Sequence, residues 1–276
     1  MADIKAAEVA KLRKMTGAGM MDCKKALKEA EGDFDKAIEY IRERGMAIAN
    51  KRADREATEG VVMAKVSSDN KLAAIVSLNC ETDFVAKNED FKNFVLSIIN
   101  LALAKSPSNL EELKALELDG KTVDEKVTER SGITGEKMEL AYFDSIKAES
   151  VISYIHMGNK LATIAGFNVA GLDAQIYKDV AMQIAAMDPV AISKDEISAK
   201  VRDDEFKIGR EQARLEGKPE KILDKIAEGR LNKFFKERTL LSQDFVKDNK
   251  ITVDQYLKSQ NKDLTVTSFK RFSITG

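Results

Sequence analysis

Asp83 and Phe84 are the residues whose types and placement best suit an action on another molecule, because they set a carboxylate beside a large aromatic ring. The apolar run Leu72–Leu78 before them predicts a buried strand. The apolar residues after them recur at helical spacing and predict a helix, at Phe91, Phe94, Val95, Ile98 and Ile99. The pair therefore lies at a corner where a strand leads into a helix.

Two interpretations of this corner are open. In the first, Thr82 or Asp83 caps the helix and Phe84 packs on its first turn. In the second, Phe84 projects as a wedge into a partner and Asp83 supplies a hydrogen bond to that partner. Both interpretations concern folding or binding, and neither requires a covalent step.

Residue types that carry catalysis are sparse in the rest of the chain. His156 is the only histidine, so no histidine pair can hold a metal or relay a proton. Cys23 and Cys80 lie far apart without metal-ligand spacing, which predicts reduced, buried thiols. The stretch Gly17-Ala18-Gly19 lacks the Lys and Ser/Thr of a nucleotide-binding loop. Since no serine elbow appears either, we expect a protein that is not an enzyme and has no metal site or cofactor.

The composition is that of a globular protein of 276 residues, 43% hydrophobic and 33% charged. Lys and Arg total 45 against 46 for Asp and Glu, and this balance argues against direct contact with nucleic acid over a broad surface. The N-terminal stretch lacks the apolar core of a signal peptide, and no run approaches the length that spans a bilayer. These features predict a cytoplasmic protein that does not act at a membrane.

The N-terminal part predicts a compact domain of three short helices within residues 4–45. Gly17, Gly19 and Gly32 separate the helices, and Gly45 closes the third. Residues 46–58 predict a polar helical linker with a solvent-facing basic side, which carries Lys51, Arg52 and Arg55.

Two adjacent methionines, Met20 and Met21, stand near the start of the second of these helices. Successive residues of a helix point in different directions, so one face cannot bury both side chains. Either one methionine is core and the other is incidental, or an exposed methionine forms an adaptable apolar contact with a partner.

The remainder of the chain contains an internal duplication. Residues 59–75 predict a hairpin of two strands, and residues 149–164 predict a second one. The pattern Asn-Lys-Leu-Ala-x-Ile begins at Asn70 and again at Asn159, an offset of 89 positions (159 minus 70). A helix follows each hairpin, and each unit needs a third strand because a lone hairpin is marginally stable. The candidates for the third strands are Met138–Phe143 and Thr265–Ile274.

The duplication bears on the Asp83–Phe84 corner. At the same offset, the second copy has Ala170-Gly171-Leu172-Asp173, an ordinary turn with Asp173 as a helix cap. The second copy forms its corner without an aromatic residue, so the fold alone does not require Phe84. This comparison favours the wedge interpretation.

A charged helical arm is predicted within the second copy. Ser193-Lys194-Asp195-Glu196 has the pattern of a capping box, as does Thr122-Val123-Asp124-Glu125 earlier in the chain. A thin apolar seam follows at Ile197, Val201, Ile208 and Leu215. Glu216-Gly217-Lys218-Pro219 then stops one helix and restarts another, which predicts an antiparallel, coiled-coil-like hairpin that projects from the body.

The fold class that these patterns predict is α+β. We expect a three-helix domain with its linker over residues 1–55, and a first α+β subdomain over residues 56–144. A second α+β subdomain covers residues 145–276 and carries the helical arm at about residues 193–236.

Two motifs in this sequence are similar to those of the translation elongation factor Ts family. One is Thr82-Asp83-Phe84-Val85, and the other runs from Thr16 to Leu27 as Thr-Gly-Ala-Gly-Met-Met-Asp-Cys-Lys-Lys-Ala-Leu. Both stand in the order and spacing of that family, and the resemblance covers the chain from Ile4 to about Phe272. It implies that the three-helix domain has a ubiquitin-associated-like fold.

The resemblance also implies a function, that of a guanine-nucleotide exchange factor for elongation factor Tu. The factor would bind the GDP-bound and nucleotide-free partner and promote GDP release by displacing magnesium. Thr82, Asp83, Phe84 and Val85 would act near the magnesium site. Further partner-binding residues implied are Arg13, Met20, Met21 and His156. The arm would be able to mediate a homodimer, and we expect no extra C-terminal helix of the kind that some family members carry.

One alternative of another class is a ubiquitin-fold-type or nascent-chain binding module, led by residues 4–45 and without exchange activity. It accounts for the three-helix domain but not for the Asp83–Phe84 corner or the duplication. A nucleic-acid binder is a weaker third interpretation because of the charge balance.

Overall fold

The computed structural model describes residues 4–52 and 54–275. Its helices are α1 (Ala6–Thr16), α2 (Met20–Glu29), α3 (Phe34–Lys51), α4 (Asp83–Ala86), α5 (Glu89–Lys105), α6 (Leu110–Ala115), α7 (Val123–Thr134), α8 (Ala174–Met187), α9 (Ala199–Leu215), α10 (Leu223–Arg238) and α11 (Val253–Gln260). Its strands are β1 (Glu59–Val66), β2 (Leu72–Cys80), β3 (Glu117–Leu118), β4 (Lys121–Thr122), β5 (Met138–Lys147), β6 (Ser150–Ile155), β7 (Leu161–Phe167), β8 (Asp244–Phe245), β9 (Asp248–Thr252) and β10 (Val266–Ser273).

The first three helices form a small bundle around their own apolar core, which includes Val9, Leu12, Ala18, Cys23, Ala26, Leu27 and Ala37. Gly17 ends α1 in the left-handed conformation, with φ of 72°, and its N–H donates to the Arg13 carbonyl at 2.8 Å. Asp33 begins α3, because its carboxylate accepts hydrogen bonds from the backbone N–H groups of Asp35 and Lys36.

Gly45 does not end the third helix, contrary to the expectation from sequence. α3 continues to Lys51, and Gly45 instead lies where α3 crosses α7, directly against Gly132. A Cβ atom built on Gly132 would overlap the backbone of Gly45. Glycine is therefore needed at this crossing for the close approach of two helices, and not for chain termination.

The two duplicated units each form a three-stranded antiparallel sheet. The strand orders are β1-β2-β5 and β6-β7-β10, so the second strand of each hairpin is central in its sheet. Both predicted third strands pair as expected, β5 with β2 and β10 with β7. The mixture of helices with small antiparallel sheets confirms the predicted α+β class.

The two sheets pack face to face, an arrangement that sequence analysis did not foresee. The residues between them come from both copies and include Val62, Ala64, Ala73, Ile75, Val151, Ala162 and Ile164. α5 covers the outer face of the first sheet, and α8 covers the outer face of the second. This layering explains why β2 is buried on both faces along almost its whole length.

The contact between the sheets is reciprocal. The carbonyl of Asn70 accepts a hydrogen bond from the Val151 N–H at 2.9 Å, and the carbonyl of Asn159 accepts one from the Val62 N–H at 2.7 Å. Asn70 and Asn159 both adopt the left-handed conformation, with φ of 56° and 57°. The two halves are thus related by an approximate twofold rotation.

The duplication extends beyond the segments recognised from sequence. The predicted capping box at Thr122 and Glu125 is present at the start of α7, and an equivalent box at Thr252 and Gln255 begins α11. A two-stranded ribbon precedes each of these helices, β3–β4 and β8–β9, and the third strand of the sheet follows each.

The arm is an antiparallel pair of helices, α9 and α10, as predicted, but its start and its seam differ from the prediction. Ser193 caps only a short 3-10 turn, and Ser198 caps α9 by accepting the Val201 N–H at 3.3 Å. The seam is formed by small residues and one leucine, namely Gly209, Ala213, Leu223 and Ala227. Small side chains let the two helix backbones approach closely, so most of the bulkier apolar residues of α9 lie outside the seam.

The predicted seam residues on α9 face solvent instead. Val201, Ile208 and Leu215 are 39%, 48% and 80% exposed. Of the predicted set, only Ile197 is buried, and it precedes the helix. The base of the arm is held by Gln243, whose side-chain amide donates to the carbonyls of Met187 and Glu237.

Candidate partner-binding site

The corner after β2 is built as a separate helical turn. α4 spans only Asp83–Ala86, and α5 starts afterwards, where the Asn88 side chain accepts the Asp90 N–H at 2.8 Å. Neither Thr82 nor Asp83 therefore caps the long helix. In the second copy, α8 begins directly after its cap Asp173, without such a turn.

The ring of Phe84 is 84% exposed, so it does not pack on the first turn of α5. Ala86 on the same turn is buried, and Val85 packs against the core of the first unit. The turn is thus anchored on one side by small apolar contacts, while its aromatic residue stands in solvent. A large exposed ring on a short, anchored turn is suited to insertion into a partner.

Asp83 is paired on the surface with Lys87. The Lys87 Nζ lies 2.6 Å from the Asp83 Oδ2, one helical turn away. This hydrogen bond from Lys87 lowers the pKa of Asp83 and raises the pKa of Lys87. The carboxylate is therefore charged at neutral pH and available to a partner that can displace Lys87.

Two carboxylates next to the turn hold it in place, and sequence analysis missed both. Glu136 accepts the N–H of Thr82 at 3.0 Å and its hydroxyl at 2.6 Å. Glu81 accepts the N–H of Lys137 at 2.7 Å and pairs with Arg52 and Arg55 at 3.0 and 2.9 Å. In the sequence, the only indication of this role was that Glu81 directly precedes Thr82.

Glu81 is strongly stabilised in its charged form. Burial of the carboxylate favours the neutral acid, but the hydrogen bonds from Lys137, Arg55 and Arg52 outweigh it and lower the pKa of Glu81 to about 2. The predicted solvent-facing side of the linker holds for Arg55, whose side chain is exposed, whereas Arg52 is only partly exposed. Both arginines also bind the Glu81 carboxylate, which the sequence did not indicate.

Both cysteines are buried and free, as predicted. Burial raises the pKa of the Cys80 thiol to about 12, and the Sγ atom donates to the Thr82 carbonyl at 3.2 Å. Burial also raises the pKa of Cys23. Neither thiol has the low pKa of a reactive cysteine, and Cys80 serves as a further contact beneath the turn.

The methionine pair lies on the surface of the three-helix bundle. Met20 and Met21 occupy the first turn of α2 and are 58% and 74% exposed. Arg13 is exposed on α1, which precedes the turn at Gly17. Met15, which sequence analysis did not single out, is also 56% exposed on α1 and adds to the apolar surface of this domain.

His156 lies at the tip of the second hairpin, between β6 and β7, and is exposed. Its Nδ1 atom is 3.1 Å from the hydroxyl of Tyr154. The neighbouring Met157 is 90% exposed. The candidate residues thus form three surfaces: the first turn of α2 with Arg13, the α4 turn, and the tip of the second hairpin.

Among the residues that the structure describes, no three His, Cys, Asp or Glu side chains come together as a metal-binding group. In the same residues, no helix has the length and apolar character needed to cross a membrane.

Comparison with known proteins agrees with the motifs. The family model described as elongation factor TS matches residues 81–275, which is more than half of the chain. The chain belongs to the elongation factor Ts family. The family match begins at Glu81, one of the two carboxylates that hold the α4 turn, and it includes both helices of the arm.

Relatives in this family resemble the chain over nearly its whole length. Elongation factor Ts of Porphyromonas gingivalis is 54% identical over 270 residues, which cover 98% of this chain and 97% of the relative. Elongation factor Ts of Azobacteroides pseudotrichonymphae is 54% identical over 267 residues, 97% of each chain. That of Cytophaga hutchinsonii is 49% identical over 278 aligned positions, covering both chains in full. The chain is therefore a translation elongation factor by family.

Proposed function

We propose that this elongation factor Ts family member is a guanine-nucleotide exchange factor for elongation factor Tu. It binds the GDP-bound partner, displaces magnesium and GDP, and holds the nucleotide-free form until a new nucleotide enters. The observation that carries the proposal is the Phe84 ring, which is 84% exposed beside the charged Asp83 on a braced turn.

The physical basis of exchange is thermodynamic linkage and not bond-making. A nucleotide held with nanomolar affinity represents roughly 12 kcal/mol of binding free energy. A protein that binds the nucleotide-free form more tightly than the loaded form must weaken nucleotide binding by the same factor. GDP is therefore held less tightly in the complex, and its release requires no covalent catalysis by this protein.

The four residues of the turn have separate roles in this proposal. Phe84 inserts between elements of the partner near the magnesium site, and Asp83 hydrogen-bonds to the displaced elements after it releases Lys87. Val85 anchors the turn to the core, and Thr82 fixes its entry through Glu136. Preorganisation matters because a mobile wedge would lose conformational entropy on insertion.

The other two surfaces extend the contact. Met20 and Met21 supply adaptable apolar contact to the nucleotide-binding domain of the partner, with Arg13 beside them. His156, at the tip of the second hairpin, faces another domain of the partner. These surfaces contribute affinity, whereas the α4 turn distinguishes the nucleotide-free form from the loaded form.

The decisive experiment measures release of fluorescently labelled GDP from elongation factor Tu by stopped flow, with and without this protein. We expect release to accelerate with protein concentration and to saturate. A protein that binds the partner without changing the release rate would contradict the exchange proposal. That outcome would favour the alternative of a binding module led by the three-helix domain.

The arm carries a separate proposal, that of a homodimer contact. Val201, Ile208 and Leu215 recur every seven residues and expose apolar side chains along one line of α9. Sedimentation velocity of the full chain and of Leu215→Glu tests it, since the variant would remain monomeric at concentrations where the natural sequence associates. A translation factor of this kind acts in the cytoplasm, through protein contacts and not by direct nucleic-acid binding.

A further inference from the structure

The carboxylate of Glu81 connects three segments that are distant in sequence. Its side chain is only 12% exposed. It accepts the Lys137 N–H at the start of β5, and it pairs with Arg52 and Arg55, which follow the end of α3. One side chain therefore ties the three-helix bundle to the strand end from which the α4 turn emerges.

Glu136 completes this brace from the opposite direction. Glu81 reaches from the corner to the backbone of Lys137, and Glu136 reaches back to the backbone and hydroxyl of Thr82. Glu81 thus contacts Lys137, and the adjacent Thr82 contacts Glu136, so that the two segments are joined in both directions. The Glu136 bonds fix the turn itself, whereas the arginines add a link to the N-terminal bundle.

The second copy shows that this brace is not needed to build the corner. Ala170 stands in the position of Glu81, at the same offset of 89 residues (170 minus 81). There, Asn168 closes the corner by donating to the Asp263 carbonyl at 2.7 Å and accepting the Thr265 N–H at 2.8 Å. The first copy has the equivalent Asn79, but its amide donates to the Ala57 carbonyl. The acidic brace is therefore an addition to the repeat.

The N-terminal bundle has other attachments to the body, and these lie away from the corner. Gly45 crosses Gly132, and Arg42 pairs with Glu129 at 3.3 Å. We propose that Glu81 is a positioning residue, which holds Arg52 and Arg55 so that the methionine surface of the bundle and the Asp83–Phe84 turn are presented to the partner as one rigid unit. This inference rests on the proposed exchange function.

The expected effect follows from effective concentration. When two contact surfaces are rigidly connected, binding at one brings the other to its site without a further search. A loosened connection lowers that effective concentration and weakens the complex, although each surface keeps its own contacts. The α4 turn itself should keep its geometry, because Glu81 still accepts Lys137 and Glu136 still holds Thr82.

The test uses the full chain with Arg52→Gln and Arg55→Gln combined. In the stopped-flow GDP-release assay, we expect the half-saturating concentration to rise about tenfold while the maximal rate changes less than about twofold. Lys114→Gln is the control, because it removes an ion pair within α6 that belongs neither to the bundle nor to the corner. The control should leave both parameters within about twofold, a range typical of surface ion pairs.

A double-mutant cycle tests whether the methionine surface and the two arginines act together. Met20→Ala with Met21→Ala should raise the half-saturating concentration less in the Arg52→Gln, Arg55→Gln background than alone, because the surfaces no longer act together. Arg52→Lys with Arg55→Lys should restore part of the affinity by keeping the charge.

Each contrary result has a distinct meaning. If the double Gln variant behaves like Lys114→Gln, or if the methionine and arginine effects are simply additive, the positioning role is refuted. If the natural sequence fails to accelerate GDP release at all, the exchange function itself fails. A thermal melt of every variant shows whether unfolding, and not loss of positioning, explains a change in the GDP-release parameters. A lowered maximal rate together with a lowered melting temperature would also refute the proposal.

Discussion

Phe84 and Asp173 occupy equivalent positions of the two repeats, yet one is an exposed aromatic ring and the other is a helix cap. Phe84 is 84% exposed on α4, while the Asp173 carboxylate accepts the Gln175 N–H at 2.9 Å at the start of α8. The same corner of the same fold thus has a structural role in one copy and an outward-facing ring in the other.

Phe84→Ala should fold normally and accelerate GDP release poorly. A buried interface aromatic is often worth roughly 2–4 kcal/mol on truncation, which corresponds to a rate lower by about thirty-fold to several hundred-fold. Val246→Ala is the control, since it also truncates an exposed apolar side chain, 46% exposed between β8 and β9 and away from the three candidate surfaces. Unchanged release with Phe84→Ala would remove the central element of the exchange proposal.

Asp83→Ala should slow GDP release less than Phe84→Ala does, because a single polar contact contributes about 1 kcal/mol. Lys87→Ala should leave release within about twofold or raise it slightly, since an exposed pair of this spacing contributes little and the partner must displace it. A loss of exchange in Lys87→Ala as large as that in Asp83→Ala would mean that the Asp83–Lys87 pair, and not Asp83 alone, acts in the complex.

Met20→Ala with Met21→Ala should weaken partner binding without a comparable loss of stability, because both side chains are more than half exposed. Leu27→Ala is the contrasting variant, since Leu27 is fully buried in the same bundle and its truncation should cost about 2–5 kcal/mol of unfolding free energy. Urea unfolding and a binding titration with elongation factor Tu distinguish the two. Equal stability losses in both variants would place the methionines in the core.

Gly132→Ala should destabilise the protein although alanine favours helices. The added methyl group would overlap the backbone of Gly45, so α3 and α7 must separate at a cost of roughly 1–3 kcal/mol. Gly229→Ala on α10 is the matched control, because a Cβ atom there meets no heavy atom within 4 Å. That variant should gain up to about 1 kcal/mol. Stabilisation by Gly132→Ala would show that the crossing is loose.

Glu81 should make stability depend on acid pH. Its pKa is about 2 in the folded protein against 4.5 for an ordinary glutamate, so its contribution is complete above about pH 5 and is lost as the pH falls towards 2. The difference in unfolding free energy between the natural sequence and Glu81→Gln should therefore be largest at neutral pH and should shrink in acid. Urea unfolding at pH 7 and pH 3 tests this, and a difference that does not shrink in acid would contradict it.

The periodic elements of this fold could be predicted from the sequence. Alternation and turn residues identified both hairpins, and the 89-residue offset identified the repeat (159 minus 70). The third strands were found because each hairpin needed a partner and the two candidates were rich in β-branched and aromatic residues. Alternation, turn residues and composition are local signals, and the repeat needs only a comparison of two stretches of sequence.

The elements that the sequence analysis missed depend on distant contacts. Gly45 resembles a helix terminator in sequence, and only the position of Gly132 shows that it serves a crossing. The seam of the arm was assigned to bulky residues, whereas Gly209 and Ala213 form it because close backbone approach favours small ones. Likewise, Glu81 could not be recognised as a brace without the positions of Arg52 and Arg55.

The candidate site was predictable to the extent that it consists of adjacent residues. The Asp83–Phe84 motif and the methionine pair lie within short stretches, and the two methionines could not both be buried on one helical face. Whether these surfaces and His156 contact one partner together remains a prediction, which the exchange experiments test.

The face-to-face packing of the two sheets has a consequence for synthesis on the ribosome. The inner face of the first sheet, with Val62, Ala64 and Ile75, is covered by residues such as Ala162 and Ile164 that are made about ninety residues later. An emerging first half therefore displays an uncovered apolar sheet until the second half has been translated. Nascent chains of this protein should consequently depend on chaperones that shield apolar surface during that interval, and a stall between the two repeats should favour aggregation.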